Sequence, residues 1–90
     1  MSAQDGWVYS ISKDGKESHK ECKAMKVEPM MVWFHVSGST YEVFDLIGND
    51  LDGLPIWQSR ATGKTAQREV RKDGSVVFWK TDNKAFYYKP

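Results

Sequence analysis

Four turn signatures punctuate the chain at short intervals, and they constrain its fold more than any other feature. Lys13-Asp14-Gly15, Ser37-Gly38, Lys72-Asp73-Gly74 and Asp82-Asn83 each interrupt a run of aromatic and β-branched residues. Asp-Gly and Asn-type pairs supply the positive-φ residues of a tight hairpin, and the flanking runs carry the side chains that pack well on a pleated surface. This pattern predicts antiparallel sheet throughout.

The runs between the turns read as strands. Trp7 to Ser12 alternates Trp7, Tyr9 and Ile11 with smaller residues, which predicts a strand with one buried face. Glu17 to Lys26 is polar, and its helix formers leave a short helix as an alternative to an edge strand continuing to Val27, which Pro29 terminates. From Met30 to Val36 the chain is apolar on both faces, with Val32 and Phe34 on one and Trp33 and His35 on the other, as expected of a central strand. Thr40 to Ile47 returns, and residues 48–54 form a loop of turn residues.

Pro55 to Ala61, Thr65 to Arg71, Ser75 to Thr81 and Lys84 to Tyr88 complete the series. The expectation is a single all-β domain over residues 1–90, with residues 1–6 loose. It is a small antiparallel barrel or a two-sheet sandwich of about seven or eight strands.

Four Trp, four Tyr and four Phe in 90 residues give a small sheet protein much area to bury. The single Cys22 forms no internal disulfide and is expected as a half-buried small hydrophobe in a reducing, cytoplasmic compartment. Residues Met1 to Gly6 lack the apolar stretch of a signal peptide, and no run reaches membrane-spanning length, so no membrane association is expected.

Catalytic and metal signatures are weak. Asn49, Asp50 and Asp52 lack the length and terminal Glu of a calcium loop and read as an Asx-rich turn. His19, Cys22 and His35 are too few for a structural zinc shell. Thr62-Gly63-Lys64-Thr65 has the closing letters of a phosphate-binding loop, but Gln58 stands where its first Gly belongs. Neither an enzyme activity nor a cofactor is expected.

Charge is uneven although the net is +1: residues 1–45 sum to −2 and residues 46–90 to +3. The basic excess gathers at Arg60, Lys64, Arg68, Arg71 and Lys72, with Trp57, Trp79 and Lys84 nearby in the same third of the chain. Aromatic and basic residues together predict a contact surface, because Trp, Tyr and Arg dominate protein interfaces and the same mixture binds single-stranded nucleic acid. A net charge near zero favours a protein partner.

The second half resembles the C-type lysozyme inhibitors, small β-barrels of the bacterial envelope. The likeness rests on Leu54-Pro55, Ser59, Ala61 and Gly63, Phe78-Trp79-Lys80 and Asn83-Lys84-Ala85-Phe86, within residues about 34 to 88. The family's disulfide is impossible with Cys22 alone, and Gln67 or Arg68 stands near its Tyr. The resemblance implies a loop, Ser59 to Lys64, that plugs an enzyme cleft with Lys84 near the rim. The functional expectation is therefore a non-enzymatic, inhibitor-like protein-binding module of the kind phages and mobile elements use against host proteins. Single-stranded nucleic-acid binding is the alternative.

Overall fold

The computed structural model describes residues 5–90, and the expected looseness of residues 1–4 lies outside them. Nine antiparallel strands follow one another: β1 (Gly6–Ile11), β2 (Glu17–Glu21), β3 (Ala24–Glu28), β4 (Met31–Ser37), β5 (Thr40–Asn49), β6 (Pro55–Ser59), β7 (Thr65–Val70), β8 (Val76–Thr81) and β9 (Lys84–Tyr88). Their order in the sheet is β2-β1-β9-β8-β7-β6-β5-β4-β3, and the sheet curls into a half-barrel. No helix among the described residues is long and apolar enough to cross a membrane.

The all-β expectation holds, with nine strands in place of seven or eight. The extra strand comes from residues 17–28, which the sequence suggested as one edge strand. They divide at Cys22-Lys23, where the chain passes from one margin of the sheet to the other. The Cys22 N–H donates to the Gly6 carbonyl of β1, and the Lys23 N–H donates to the His35 carbonyl of β4. One bent stretch thus joins both margins.

Gly6 was expected in a loose leader, yet it begins β1 and is buried. A Cβ at this position would meet Phe34 Cδ2 at 2.8 Å, so only glycine lets β1 lie against β4.

The two Lys-Asp-Gly turns share one construction. Gly15 N–H bonds to the Ser12 carbonyl and Ser12 N–H to the Lys16 carbonyl; Gly74, Arg71 and Ser75 repeat the pattern. Gly15 and Gly74 take φ of 83° and 88°, the left-handed step that follows a type I turn in a three-residue hairpin loop. Asp82-Asn83 departs from expectation, because no non-glycine described residue has positive φ. A register shift between Trp79 and Thr81 accommodates that turn instead.

Inside the curl, Phe34, Phe44, Phe78 and Phe86 form a continuous aromatic core with Met25, Val32 and Trp57. Phe44 stacks on Phe78 with centroids 4.8 Å apart, and Phe34 lies 5.5 Å from Phe86. Cys22, expected to be half-buried, is buried in the same cluster, and burial pushes its thiol pKa up. Glu42 points inward as well and is only 4% exposed. Its carboxylate accepts from Ser59 Oγ at 2.6 Å and from Lys80 Nζ at 2.8 Å, so the buried charge is both paired and hydrogen-bonded.

Candidate functional site

The eight residues expected to form one contact surface are distributed around the sheet. Trp57 is 8% exposed and packs edge-on against Phe78, so it belongs to the core and offers no ring to a partner. Ile56 and Trp57 take opposite faces of β6; Trp57 shares its face with the buried Ser59 and lies opposite Ala66.

Arg60 lies outside the β4–β5 half of the sheet, where it forks onto Asp45 at 2.8 and 3.1 Å. That carboxylate raises the guanidinium pKa still further. Lys64 sits in the β6–β7 turn, whereas Arg71 and Lys72 lie in the turn at the other end of β7. Strand rise puts about 20 Å between those ends. Arg68 shares the inward parity of Ala66 but is exposed, because the wall opens there. Lys84 reaches over the Phe86 ring at 5.9 Å. The cluster in sequence is therefore not a patch in space.

Within the loop implied by the lysozyme-inhibitor resemblance, Ser59 is 1% exposed and its hydroxyl is committed to Glu42. Only Arg60 to Lys64 of that loop stand in solvent.

A different surface does come together. On the outer face of β2-β1-β9-β8, the ladder aligns Trp7 with Tyr87 and Val77, and Tyr9 with His19 and Ala85. Trp7 and Tyr87 stack at 5.3 Å and 17°, Tyr9 lies 4.9 Å from His19, and Tyr9 meets the edge of Trp79 at 5.8 Å. Val77 and Ala85 share this face and are buried beneath the rings. The four large rings themselves remain half-exposed. The eight expected contact residues included Trp79 but not Trp7, Tyr9, His19 or Tyr87. The alternation along β1 predicted one buried face without saying which; Val8, opposite Trp7 and Tyr9, is the residue that enters the core.

The polar atoms of this face are held by one another and by acids. Tyr9 donates to Glu17, Trp79 Nε1 donates to Glu69 at 3.0 Å, and His19 Nδ1 lies 3.0 Å from the Tyr87 hydroxyl. The hydrogen bond to Glu17 raises the Tyr9 pKa, helped by slight desolvation and the carboxylate charge and opposed by Arg71. Desolvation raises Tyr87, again opposed by Arg71. Arg71 lies 3.9 Å from Glu69, and Glu21 stands opposite Trp7 in the ladder. A hollow of about 180 Å³ adjoins Trp79, lined also by Gln67, Thr81 and Asp82.

A second, smaller outer cluster lies across the molecule's other half. His35 stacks on Tyr41 at 4.3 Å, and Trp33 meets Tyr41 at 5.7 Å. Met31 and Trp33 share the His35 face, as the sequence predicts. Asp50 Oδ1 accepts from Asp52 and Leu54 N–H, the Asx-type turn expected at that loop. Among the described residues, no group of three His, Cys, Asp or Glu side chains could hold a metal ion.

No family model matches this chain, and no curated protein or solved structure matches it either.

Proposed function

We propose that the protein is a non-enzymatic, inhibitor-like binding module that engages a partner protein through the outer aromatic face of Trp7, Tyr9, Trp79 and Tyr87. The observation that carries this reading is the half-exposed, mutually packed condition of those rings. Their neighbours already fix them, so little side-chain entropy is lost when a partner covers them. Rings of this kind supply most of the binding energy in protein interfaces.

The acids around the face bear on the choice of partner. Glu17, Glu21 and Glu69 border the rings, and Arg71 beside them is paired with Glu69 at 3.9 Å. Carboxylates repel a phosphate backbone, and single-stranded nucleic-acid sites pair their aromatics with cations instead. A protein partner presenting apolar and basic side chains fits this border better. A cytoplasmic setting is part of the proposal, supported by the single buried thiol, and a host-directed role of phage or mobile-element type is the biological context we attach to it.

The test compares three proteins in capture from lysate with cross-linking. Wild type and Trp33→Ala, altered on the other outer cluster, should retain the same partner. A folded Trp7→Ala/Trp79→Ala double variant should lose it. A labelled oligothymidine at low salt should form no complex. Retention of the partner by the double variant, or salt-dependent oligonucleotide binding, defeats the proposal.

A further inference from the structure

The seam between β6 and β7 is open over most of its length. The two strands meet in only two residue pairs, Trp57 with Ala66 and Gln58 with Thr65. Beyond these pairs they separate around a cleft of about 600 Å³, lined by Leu54, Pro55 and Ile56 on one side and by Thr65, Gln67 and Arg68 on the other. The lining draws residues from both the inner and outer faces of β7, so the cleft cuts through the wall.

The hydrogen-bond parity of β7 determines what the cleft exposes. In an antiparallel ladder, a residue sends its N–H and C=O to the same side, and successive residues alternate. Arg71 N–H bonds to the Ser75 carbonyl, so Arg71, Glu69 and Gln67 direct their main-chain groups to β8. Ala66, Arg68 and Val70 direct theirs toward β6. Ala66 meets Trp57 there, whereas Arg68 and Val70 have no main-chain partner among the described residues. Two N–H groups and two carbonyls therefore line a vacant strand position.

Side chains at the cleft specify its occupant further. Leu54 of the lining is 60% exposed, and Val70, two residues beyond Arg68 along β7, is 59% exposed. Arg68 makes no ion pair among the described residues. Asp50, across the cleft, has a carboxylate oxygen engaged by its own loop. On the β6 side, Pro55 has no N–H to offer, so only β7 presents a complete ladder edge.

We infer that this cleft takes an extended, acidic segment of a partner protein, added antiparallel along β7 with a carboxylate opposite Arg68 and an apolar residue opposite Val70. Main-chain bonds supply the affinity in such strand addition, and alternate side chains supply selectivity. The cleft borders the aromatic face at Gln67, which also lines the hollow beside Trp79, but Arg68 and Val70 take the opposite parity of β7, so this inference stands independently of that reading.

The experiment uses a displayed library of random linear dodecapeptides selected on the intact protein. Enriched peptides should share a carboxylate and, two positions from it, an apolar residue. Arg68→Glu should weaken them by about tenfold or more, the loss of one charge-assisted pair. Val70→Pro should do the same while leaving thermal unfolding of the free protein close to wild type, since the N–H it removes bonds to nothing. In amide spectra, peptide should shift Arg68 and Val70 first. The Trp7→Ala/Trp79→Ala variant should bind peptide normally.

Failure of the library to enrich, equal binding by Arg68→Glu, or shifts centred on the aromatic face overturns the inference. So does a concentration-dependent dimer that the selected peptides dissolve, because the occupant is then a second copy of the chain.

Discussion

The Lys80 ammonium lies 2.8 Å from Glu42 Oε2, joining two residues that stand 38 positions apart in the sequence. The carboxylate is nearly inaccessible, and its other oxygen accepts from Ser59. Such a pair stabilises less than its geometry suggests, because both charges leave water, but breaking it strands one charge inside. Lys80→Ala should lower the unfolding free energy by about 3 kcal/mol, measured by urea titration. Lys80→Met/Glu42→Gln should be less destabilised than the sum of the two single variants. An additive double variant would mean the two groups are not coupled.

Gly6→Ala tests the approach of β1 to β4. The new methyl would fall 2.8 Å from Phe34 Cδ2 and 3.0 Å from Met25 Cγ. Overpacking of this kind costs about 1–3 kcal/mol. Phe34→Leu in the Gly6→Ala background should recover part of the loss seen by thermal unfolding, although Phe34→Leu alone destabilises.

Acid should loosen the two Lys-Asp-Gly hairpins. The Ser75 hydroxyl and N–H hold Asp73 below the ordinary carboxylate pKa, and the Ser12 hydroxyl with the Lys16 N–H does the same for Asp14. A lowered folded pKa means the unfolded chain binds the proton more readily. The contribution is therefore present above the unfolded value of about 4 and lost as pH falls through the folded values. Melting temperature should decline below about pH 4, and the decline should be shallower in Asp14→Asn/Asp73→Asn. An unchanged acid slope in that variant would remove both turns from the account.

Cys22 should be a slow thiol. Burial raises its pKa, with Glu21 adding to the effect and Lys20 opposing it, so the folded protein keeps the thiol neutral where an unfolded chain begins to ionise. That preference stabilises the fold below the unfolded value near pH 8.5 and fades as pH rises through the folded one. An aromatic disulfide reagent at neutral pH should react much more slowly with folded than with urea-unfolded protein. Equal rates would show that the side chain is accessible.

Most strands could be read from short apolar and aromatic runs, such as Val32-Trp33-Phe34 and Val76-Val77-Phe78, set between recognisable turns. The break at Cys22-Lys23 left no such mark: no Gly or Pro stands there, and the bend arises from hydrogen bonds to Gly6 and His35, remote in sequence. Period two separates faces but does not orient them. Val8 and Trp7 are both credible core residues, and which turns inward depends on the partners that curl the sheet.

The same limit explains the dispersal of the basic residues. Arg60, Lys64, Arg68 and Arg71 are neighbours along the chain, but reversal at the β6–β7 turn and alternation along β7 send them to different faces and ends. The ring cluster, in contrast, is assembled from β1, β2, β8 and β9, and only their pairing reveals it.

The crossing at Cys22-Lys23 makes the two sheet margins parts of a single covalent stretch. A circular permutant opened there, with residues 5 and 90 joined by a flexible linker, would free both margins at once. Such a molecule should be far more prone to edge-to-edge polymerisation than one opened at the Asp82-Asn83 turn, because the natural connection acts as a hasp on the curled sheet.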